Sequence, residues 1–134
     1  MPNQIVVAAA VIRRSRLLVA QRVRPPELAG RWELPGGKVA PGETEPEALA
    51  RELAEELGLA VNDVAVGARL SVDVALNAKT ILRAYRVRLI RGEPQAHDHG
   101  ALRWVAEAEL DDVDWVPADR AWVDDLRRVL QAAL

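Results

Sequence analysis

The chain has 134 residues, with 18 basic and 20 acidic side chains, a net charge of −2 and no cysteine. This length is most simply one domain over residues 1–134, able to bury roughly two thirds of the surface that its unfolded form exposes. The near balance of charge argues against a polymeric DNA or RNA partner, because no basic field exists to hold a polyanion. The lack of cysteine excludes disulfides, thiol catalysis and thiolate-bound metal, and it favours a cytoplasmic location.

The first part of the chain consists of apolar runs separated by polar residues. Residues 5–12 and 17–21 are both apolar runs, and they predict a buried hairpin of two strands. The first run is too short to cross a membrane and lacks the flanks of a signal peptide, so no membrane partner is expected. A loop rich in proline and glycine over residues 23–31 precedes a short strand at residues 32–34, which a Pro-Gly-Gly run then breaks.

A helix is predicted from residue 45 to residue 57. Thr44 and Glu47 have the spacing of a capping box at its start, and Gly58 supplies the stop at its end. Leucines that recur every four residues form the apolar stripe with which the helix contacts the core. The boundaries and the buried face of this helix therefore follow from local signals.

The rest of the chain predicts more strands and a closing helix. Residues 64–76 and 80–90 form a long antiparallel hairpin in this prediction, with the turn at residues 77–79. Residues 102–105 form a further strand, and apolar residues at helical spacing over residues 118–133 predict the closing helix. The fold class expected is α/β, with a mixed β-sheet sandwiched between helices.

One face of the first helix is crowded with carboxylates. Glu52, Glu55 and Glu56 fall within an arc of roughly 100° on an α-helix. Carboxylates held so close repel one another unless a cation lies between them. This face is therefore a predicted site for one or two hard divalent ions.

A longer pattern surrounds these glutamates. Residues 37–59 place fixed residues at fixed spacing, namely Gly37, Glu43, Arg51-Glu52-Leu53, Glu55-Glu56 and Gly58-Leu59. The pattern reproduces the whole signature of the Nudix hydrolases, in the strand, loop and helix context that the signature requires. The order of the elements also resembles the MutT branch of that family. The resemblance implies hydrolysis of a nucleoside triphosphate to monophosphate and pyrophosphate with Mg²⁺ or Mn²⁺, in nucleotide-pool sanitation.

The resemblance also assigns roles within the motif. The metal ligands that it implies are the carbonyl of Gly37 and the side chains of Glu52, Glu55 and Glu56. Glu52 is the favoured general base, and Arg51 joins the three glutamates in the expected catalytic set. Glu43 and Arg51 are expected to brace the loop against the helix, and Gly58 to be structural.

Residues outside the motif are expected to contact the substrate or the metal. Arg22 matches an arginine with which MutT-type enzymes contact substrate phosphate, whereas Lys38 is either a phosphate contact or a solvated turn residue. Asp98 lies before a strand where related enzymes place a further acidic metal ligand or base, and its alternative is a turn residue. His97 and His99 are expected to face solvent, because two histidines without further ligands do not make a zinc site.

Asp119 is the candidate for recognition of the base. It follows Pro117-Ala118, where the founding MutT pattern has Pro-Ala-Asn and the amide reads the base. A carboxylate accepts hydrogen bonds and donates only when protonated, so the base should present donors, as cytosine and oxidised guanine do. The expected substrates are CTP or dCTP, including 5-methyl forms, and 8-oxo-dGTP. The alternative for Asp119 is a first-turn residue that complements the helix dipole.

Two rival functions differ from this one. A hydrolase of ADP-ribose or dinucleoside polyphosphates shares the motif, although this short chain shows no added recognition segment. A non-catalytic nucleotide-binding regulator usually lacks some metal ligands, whereas all three glutamates are present here. The expected partner is in each case a small-molecule nucleotide, bound by a monomer or a homodimer. The motif itself specifies neither the base nor the number of metals.

Overall fold

The computed structural model describes residues 4–132 of the protein. The strands in this part of the chain are β1 Gln4–Arg13, β2 Arg16–Gln21, β3 Trp32–Glu33, β4 Gly36–Lys38, β5 Val64–Arg69, β6 Val74–Asn77, β7 Thr80–Leu89 and β8 Ala101–Val105. The α-helices are α1 Glu45–Leu57 and α2 Val123–Ala132. Short 3₁₀ helices lie at Val61–Asp63, Glu107–Asp112 and Pro117–Trp122. No helix among residues 4–132 is long and apolar enough to span a membrane.

The strands form one mixed sheet around β1. β1 runs parallel to β7 over nearly its whole length, from Gln4 opposite Thr80 to Ile12 opposite Arg88. It also pairs antiparallel with β4 near its start and with β2 near its end. β2 pairs in addition with β3 and β8, and β7 with β5 and β6, all antiparallel. The predicted mixed sheet is therefore confirmed.

Helices cover both faces of this sheet. On one face, side chains of β1 pack with the leucines of α1, through Val7, Ala9, Val11, Leu49, Leu53 and Leu57. On the other face, β1 packs with α2 and the segment before it, through Ala8, Ala10, Trp122, Leu126 and Leu130. Because both faces of β1 are buried, its sequence is apolar at successive positions rather than at alternate ones. The sandwich of sheet between helices is thus as predicted.

α1 begins and ends where the sequence predicts. The Thr44 hydroxyl accepts a hydrogen bond from the N–H of Glu47, and the Glu47 carboxylate accepts one from the N–H of Thr44. At the other end Gly58 has φ 66°, a left-handed conformation that glycine adopts without strain. The helix therefore holds the acidic motif in a fixed register relative to the sheet.

Two predicted elements are wrong in their extent. The strand predicted over residues 64–76 is divided into β5 and β6. Leu70 still donates to the carbonyl of Ala84 in β7, but the next two residues bond to the α2 region instead. There Asp125 accepts from the N–H of Ser71, and Trp122 Nε1 donates to the carbonyl of Val72. The closing helix begins at Val123, after a 3₁₀ helix, and residue 133 lies outside the described residues.

The strand β4 replaces a predicted break. Gly36–Lys38 pairs antiparallel with β1, with Gly36 opposite Ala8 and Gly37 opposite Val7. A Cβ atom added to Gly36 would lie 1.9 Å from the carbonyl oxygen of Val7. Only glycine permits this approach, which sets the start of the motif directly on the central strand.

Replacing Gly36 with alanine should destabilise the protein by about 3 kcal/mol or more, since the added methyl collides with backbone that has no free direction to move. Urea unfolding of the metal-free protein measures the change. Gly67→Ala is the matched control, because Gly67 also lies in a strand but its added Cβ would meet its nearest atom, the carbonyl oxygen of Arg86, at 3.4 Å. Equal stability of the two variants would contradict the close approach at Gly36.

Candidate active site

The glycine turn and the acidic face of α1 are in direct contact. A Cβ atom on Gly37 would lie 2.3 Å from Cδ of Glu52, so the Glu52 carboxyl group lies directly over the glycine backbone. The N–H of Gly36 donates to Oε2 of Glu56 over 3.2 Å. The backbone of β4 and the carboxylates of α1 thus lie on two sides of one small region. This is the region where the sequence predicted a metal site.

Arg51 joins this region to the loop before α1. Its guanidinium donates to both oxygens of Glu43, at 2.7 and 2.9 Å, and to the carbonyl of Lys38 at 3.1 Å. The hydrogen bonds from Arg51 and from the N–H of Ala40 lower the pKa of Glu43 to about 2. Arg51 also donates to Glu52 at 3.0 Å and lies 3.5 Å from Glu55. The arginine therefore ties the loop to the helix and compensates the negative charge of the motif.

Glu56 is a half-buried carboxyl group of the motif. Burial raises its pKa to about 7, and the charges of Glu52 and Glu33 add to that effect. The charge of His99 and the hydrogen bond from Gly36 act in the opposite direction. Ionised Glu56 is consequently unfavourable in the folded protein, and a cation beside it would offset that free energy.

The donor groups fit a hard divalent cation. As the side chains stand, no three acidic or histidine residues among residues 4–132 are grouped to hold a metal ion. Glu52 and Glu55 contact Arg51 instead, and Glu55 is 61% exposed. Carboxylates and a glycine carbonyl are the oxygen ligands that Mg²⁺ and Mn²⁺ prefer. The types of donor present therefore suit such an ion, which would also favour the ionised form of Glu56.

A cavity of about 590 Å³ opens beside the glycine turn, a volume typical of small-molecule sites. Its polar lining includes the turn and the residues predicted to contact substrate, namely Gly36, Gly37, Arg22, Lys38, Glu56, Asp98 and Asp119. Its apolar lining includes Val23, Leu28, Leu34, Leu76, Leu82, Val116 and Trp122. The cavity thus combines a charged end at α1 with an apolar wall towards α2.

The charged residues of the cavity occupy distinct positions. Arg22 donates to Oε1 of Glu33 over 3.0 Å, which fixes its guanidinium at the wall. Lys38 is exposed at the end of β4. Asp98 forms an ion pair with Arg24 at 3.1 Å, and both side chains are more than half exposed. The structure therefore places Asp98 at the rim of the cavity, paired with arginine rather than grouped with the glutamates of α1.

Asp119 is buried at the wall of the cavity. It is 5% exposed, and its Oδ2 accepts a hydrogen bond from the N–H of Leu34 over 2.8 Å. Burial raises its pKa to about 7, with a contribution from the charge of Glu33 and opposition from Leu34 and Arg22. Its Oδ1 makes no hydrogen bond within residues 4–132 and is available to a ligand.

The expectation that both histidines face solvent is wrong for His99. The His99 side chain is 6% exposed, and its Nε2 lies 2.9 Å from Oε2 of Glu33. Burial alone would lower its pKa, but the bond to Glu33 and the nearby carboxylates raise it overall. His97 is exposed, and its ring lies against Gly58.

The sequence also did not identify Glu33 as a residue of the site. It is 17% exposed and accepts hydrogen bonds from Arg22 and His99 at the cavity wall. A signal existed, since a lone carboxylate between Trp32 and Leu34 in a short apolar strand is unusual unless it has a partner. One of its two partners, His99, lies 66 residues away in the chain, so no local pattern identifies that partner.

The chain is similar to known proteins over most of its length. The family model for the NUDIX domain matches residues 2–133. The chain is 70% identical over 133 residues to the Mycobacterium tuberculosis protein named "Putative 8-oxo-dGTP diphosphatase 2", covering 99% of this chain and 94% of that protein. It is 40% identical over 116 residues to the Escherichia coli "CTP pyrophosphohydrolase", covering 85% and 84% of the two chains.

A solved structure shows the same fold. The solution structure of the E. coli ORF135 protein matches with a TM-score of 0.78 and 34% identity, over 99% of this chain and 94% of that one. The chain belongs to the NUDIX family, and within it to the MutT type. It is a hydrolase.

The metal-free protein should lose stability as the pH rises from 4.5 towards 7, because folded Glu56 retains a proton that the unfolded chain has released. Glu56→Gln removes this contribution. The variant should exceed the wild type in free energy of unfolding by about 1 to 3 kcal/mol near pH 8, and should equal it near pH 4. Urea unfolding in EDTA measures both values. Asp119 also contributes to the pH dependence of the free energy of unfolding, but it does so equally in the wild type and in the variant. Equal stability near pH 8 would contradict the unfavourable burial of the Glu56 charge.

Proposed function

We propose that the protein is a Mg²⁺-dependent nucleoside triphosphate pyrophosphohydrolase that forms a single domain over residues 1–134 and acts in the cytoplasm on the nucleotide pool. The reaction yields a nucleoside monophosphate and pyrophosphate. The observation that supports this proposal most directly is the contact of the glycine turn with Glu52 and Glu56, at the charged end of a cavity lined by Arg22 and Lys38.

The cation would be held by the motif. We assign its ligands to the carbonyl of Gly37 and the side chains of Glu52, Glu55 and Glu56, with Mn²⁺ as an alternative metal. Bound there, the ion would neutralise phosphate charge and favour ionisation of the attacking water. Arg51 now contacts Glu52 and Glu55, so these carboxylates exchange an arginine for the ion when it binds. Glu52 is the proposed general base.

Cationic side chains suit the polyphosphate. Arg22 and Lys38 line the same cavity as the glycine turn, and a triphosphate bound at the turn lies within the reach of long basic side chains. Asp98, at the rim, is proposed as a further acidic residue that turns from Arg24 towards the metals when the substrate is bound. The positive groups offset the repulsion that polyphosphate exerts on an approaching hydroxide.

Asp119 is proposed to read the base. Its Oδ2 accepts from Leu34, which leaves Oδ1 as the oxygen that would bond to the base. When ionised, Asp119 accepts from the exocyclic amine of cytosine or from N1–H and the amine of 8-oxoguanine. With a pKa raised to about 7, the group also carries a proton in part of the molecules at neutral pH and then donates, as the amide of asparagine does.

These properties support two substrates. We propose 8-oxo-dGTP, in line with the name of the mycobacterial relative, together with CTP or dCTP and their 5-methyl forms, in line with the name of the E. coli relative. A hydrolase of ADP-ribose or dinucleoside polyphosphates is the alternative. A nucleotide panel that includes all of these compounds distinguishes the proposed triphosphate hydrolase from the alternative hydrolase by the products released.

Glu56→Gln should abolish Mg²⁺-dependent turnover, lowering kcat by about 10³-fold or more, because it removes a charge that the cation requires. The assay measures pyrophosphate and monophosphate released from each nucleotide of the panel. Glu47→Gln is the matched control, since it neutralises a glutamate of the same helix and Gln still completes the capping box. Full activity of Glu56→Gln would refute the metal site, and a wild type inactive on every triphosphate would refute the proposed reaction.

Asp119→Ala should change the ranking of bases more than the hydrolysis of triphosphates in general. The lost hydrogen bond should alter ratios of kcat/KM among dCTP, 8-oxo-dGTP and dTTP by about tenfold or more. Asp119→Asn separates base reading from packing, because it preserves the acceptor for Leu34. If Asp119→Ala keeps the ranking of the wild type, Asp119 does not read the base.

A further inference from the structure

His99 is buried although it belongs to the loop that precedes β8. Its chain neighbours Asp98 and Gly100 are largely exposed, whereas the His99 side chain is 6% exposed. Among residues 4–132, His99 Nδ1 is the buried side-chain polar atom without a hydrogen-bond partner. The hydrogen bond that the ring makes within this part of the chain is therefore the one from Nε2 to Glu33.

The ring completes a chain of hydrogen bonds along the cavity wall. Nε2 carries the proton of its bond to Glu33 Oε2, because a carboxylate oxygen accepts. Arg22 donates to the other oxygen of Glu33 over 3.0 Å and, through Nε, to the carbonyl of Arg24 over 2.8 Å. Both oxygens of Glu33 are thus held from separate parts of the chain, namely the end of β2 and the loop before β8.

Loss of either donor would release this arrangement. The terminal torsion of a glutamate is broad and two-fold, so one bonded oxygen alone does not fix the plane of the carboxylate. With Oε2 free, Glu33 would rotate about this torsion, and Arg22 would be held firmly only by its bond to the carbonyl of Arg24. Arg22 and Glu33 both line the cavity, so the change would alter the contacts of a ligand bound there.

His99 also lies near the motif. The charge of His99 lowers the pKa of Glu56 and the charge of Glu56 raises the pKa of His99, so the two side chains are within electrostatic range of each other. His99, Glu33 and Glu56 all line the one cavity. His99 is therefore situated where the proposed phosphate-binding wall meets the proposed metal-binding face.

We propose that His99 is a positioning residue for substrate binding, which acts by donating from Nε2 to Glu33 and so holding Glu33 and Arg22 as one unit at the cavity wall. The inference rests on the proposed function, since it assumes a nucleotide in this cavity. His99 acts through Glu33 and has no part in bond cleavage. Its loss should therefore weaken substrate binding more than it slows turnover.

Three variants at this position test the role. His99→Leu removes the donor at similar volume and should raise KM about tenfold while kcat changes by less than about threefold, since one buried hydrogen bond is lost. His99→Gln carries an amide nitrogen where Nε2 lies and should restore most of the affinity. His99→Asn is polar but too short to reach Glu33, so it should behave like His99→Leu, and it replaces that variant should leucine prevent folding.

A double-mutant cycle with Glu33→Ala identifies the path. If His99 acts through Glu33, His99→Leu should change KM by less than about twofold once Glu33 is already absent. His97→Leu is the matched control, because His97 is an exposed histidine of the same loop, and its KM should equal that of the wild type. Urea unfolding of each variant shows that the comparison is made between folded proteins.

Three results would overturn the positioning role. They are an unchanged KM in His99→Leu, a His99→Gln as impaired as His99→Leu, and additive effects of His99→Leu and Glu33→Ala. The cycle is run on whichever nucleotide of the panel the wild type hydrolyses best. Failure of the triphosphate assignment then appears in the wild type alone, whereas failure of the positioning role appears in the variants.

Discussion

The close approach of β4 to its two neighbours determines the geometry of the site. Gly36 lies against the backbone of β1, and Gly37 lies against the carboxyl group of Glu52. A side chain at either position would separate the sheet from the acidic face of α1. The position of the acidic face of α1 relative to the cavity thus depends on two residues that have no side chain to contribute.

Burial of carboxyl groups has an electrostatic consequence at both ends of the cavity. Glu56 and Asp119 both have pKa values raised to about 7, each chiefly through burial, and each lies in a different part of the fold. A fold that needed only stability would have placed apolar residues there. Titratable groups whose pKa values are strongly shifted within one cavity are typical of sites that bind ions or substrates. Arg51 offsets part of the negative charge at Glu52 and Glu55, whereas no arginine or lysine among residues 4–132 forms an ion pair with Glu56.

The sequence predicts those features that local signals define. The capping box, the leucine spacing and Gly58 specify α1 to the residue, and helical periodicity alone places Glu52, Glu55 and Glu56 on one face. Features that depend on distant contacts were not predictable in this way. β4 looks like a break because glycine disfavours strands in general, and only its pairing with β1 reveals why glycine is needed.

Burial of loop residues is the other kind of feature that escaped prediction. His99 lies between polar residues, and its spacing gives no reason to expect a buried ring. The reason is Glu33, which is distant in the chain and close in space. In the same way, the strand is interrupted at Ser71 and Val72, where Asp125 and Trp122 bind the backbone groups. Such tertiary competition overrides strand propensity, which is weak and dependent on context.

The contrast between Asp119 and Glu33 shows how one cavity divides its tasks. Asp119 has one oxygen bonded to Leu34 and the other without a hydrogen bond among residues 4–132, so it remains able to discriminate among ligands. Glu33 has both oxygens bonded, which leaves it suited to orienting Arg22 rather than to discriminating. In the roles proposed for these residues, a substitution at Asp119 would change which hydrogen bonds a ligand makes, whereas a substitution at Glu33 or His99 would change how rigidly Arg22 is held. Specificity and affinity can then vary separately while the residues of the motif stay fixed.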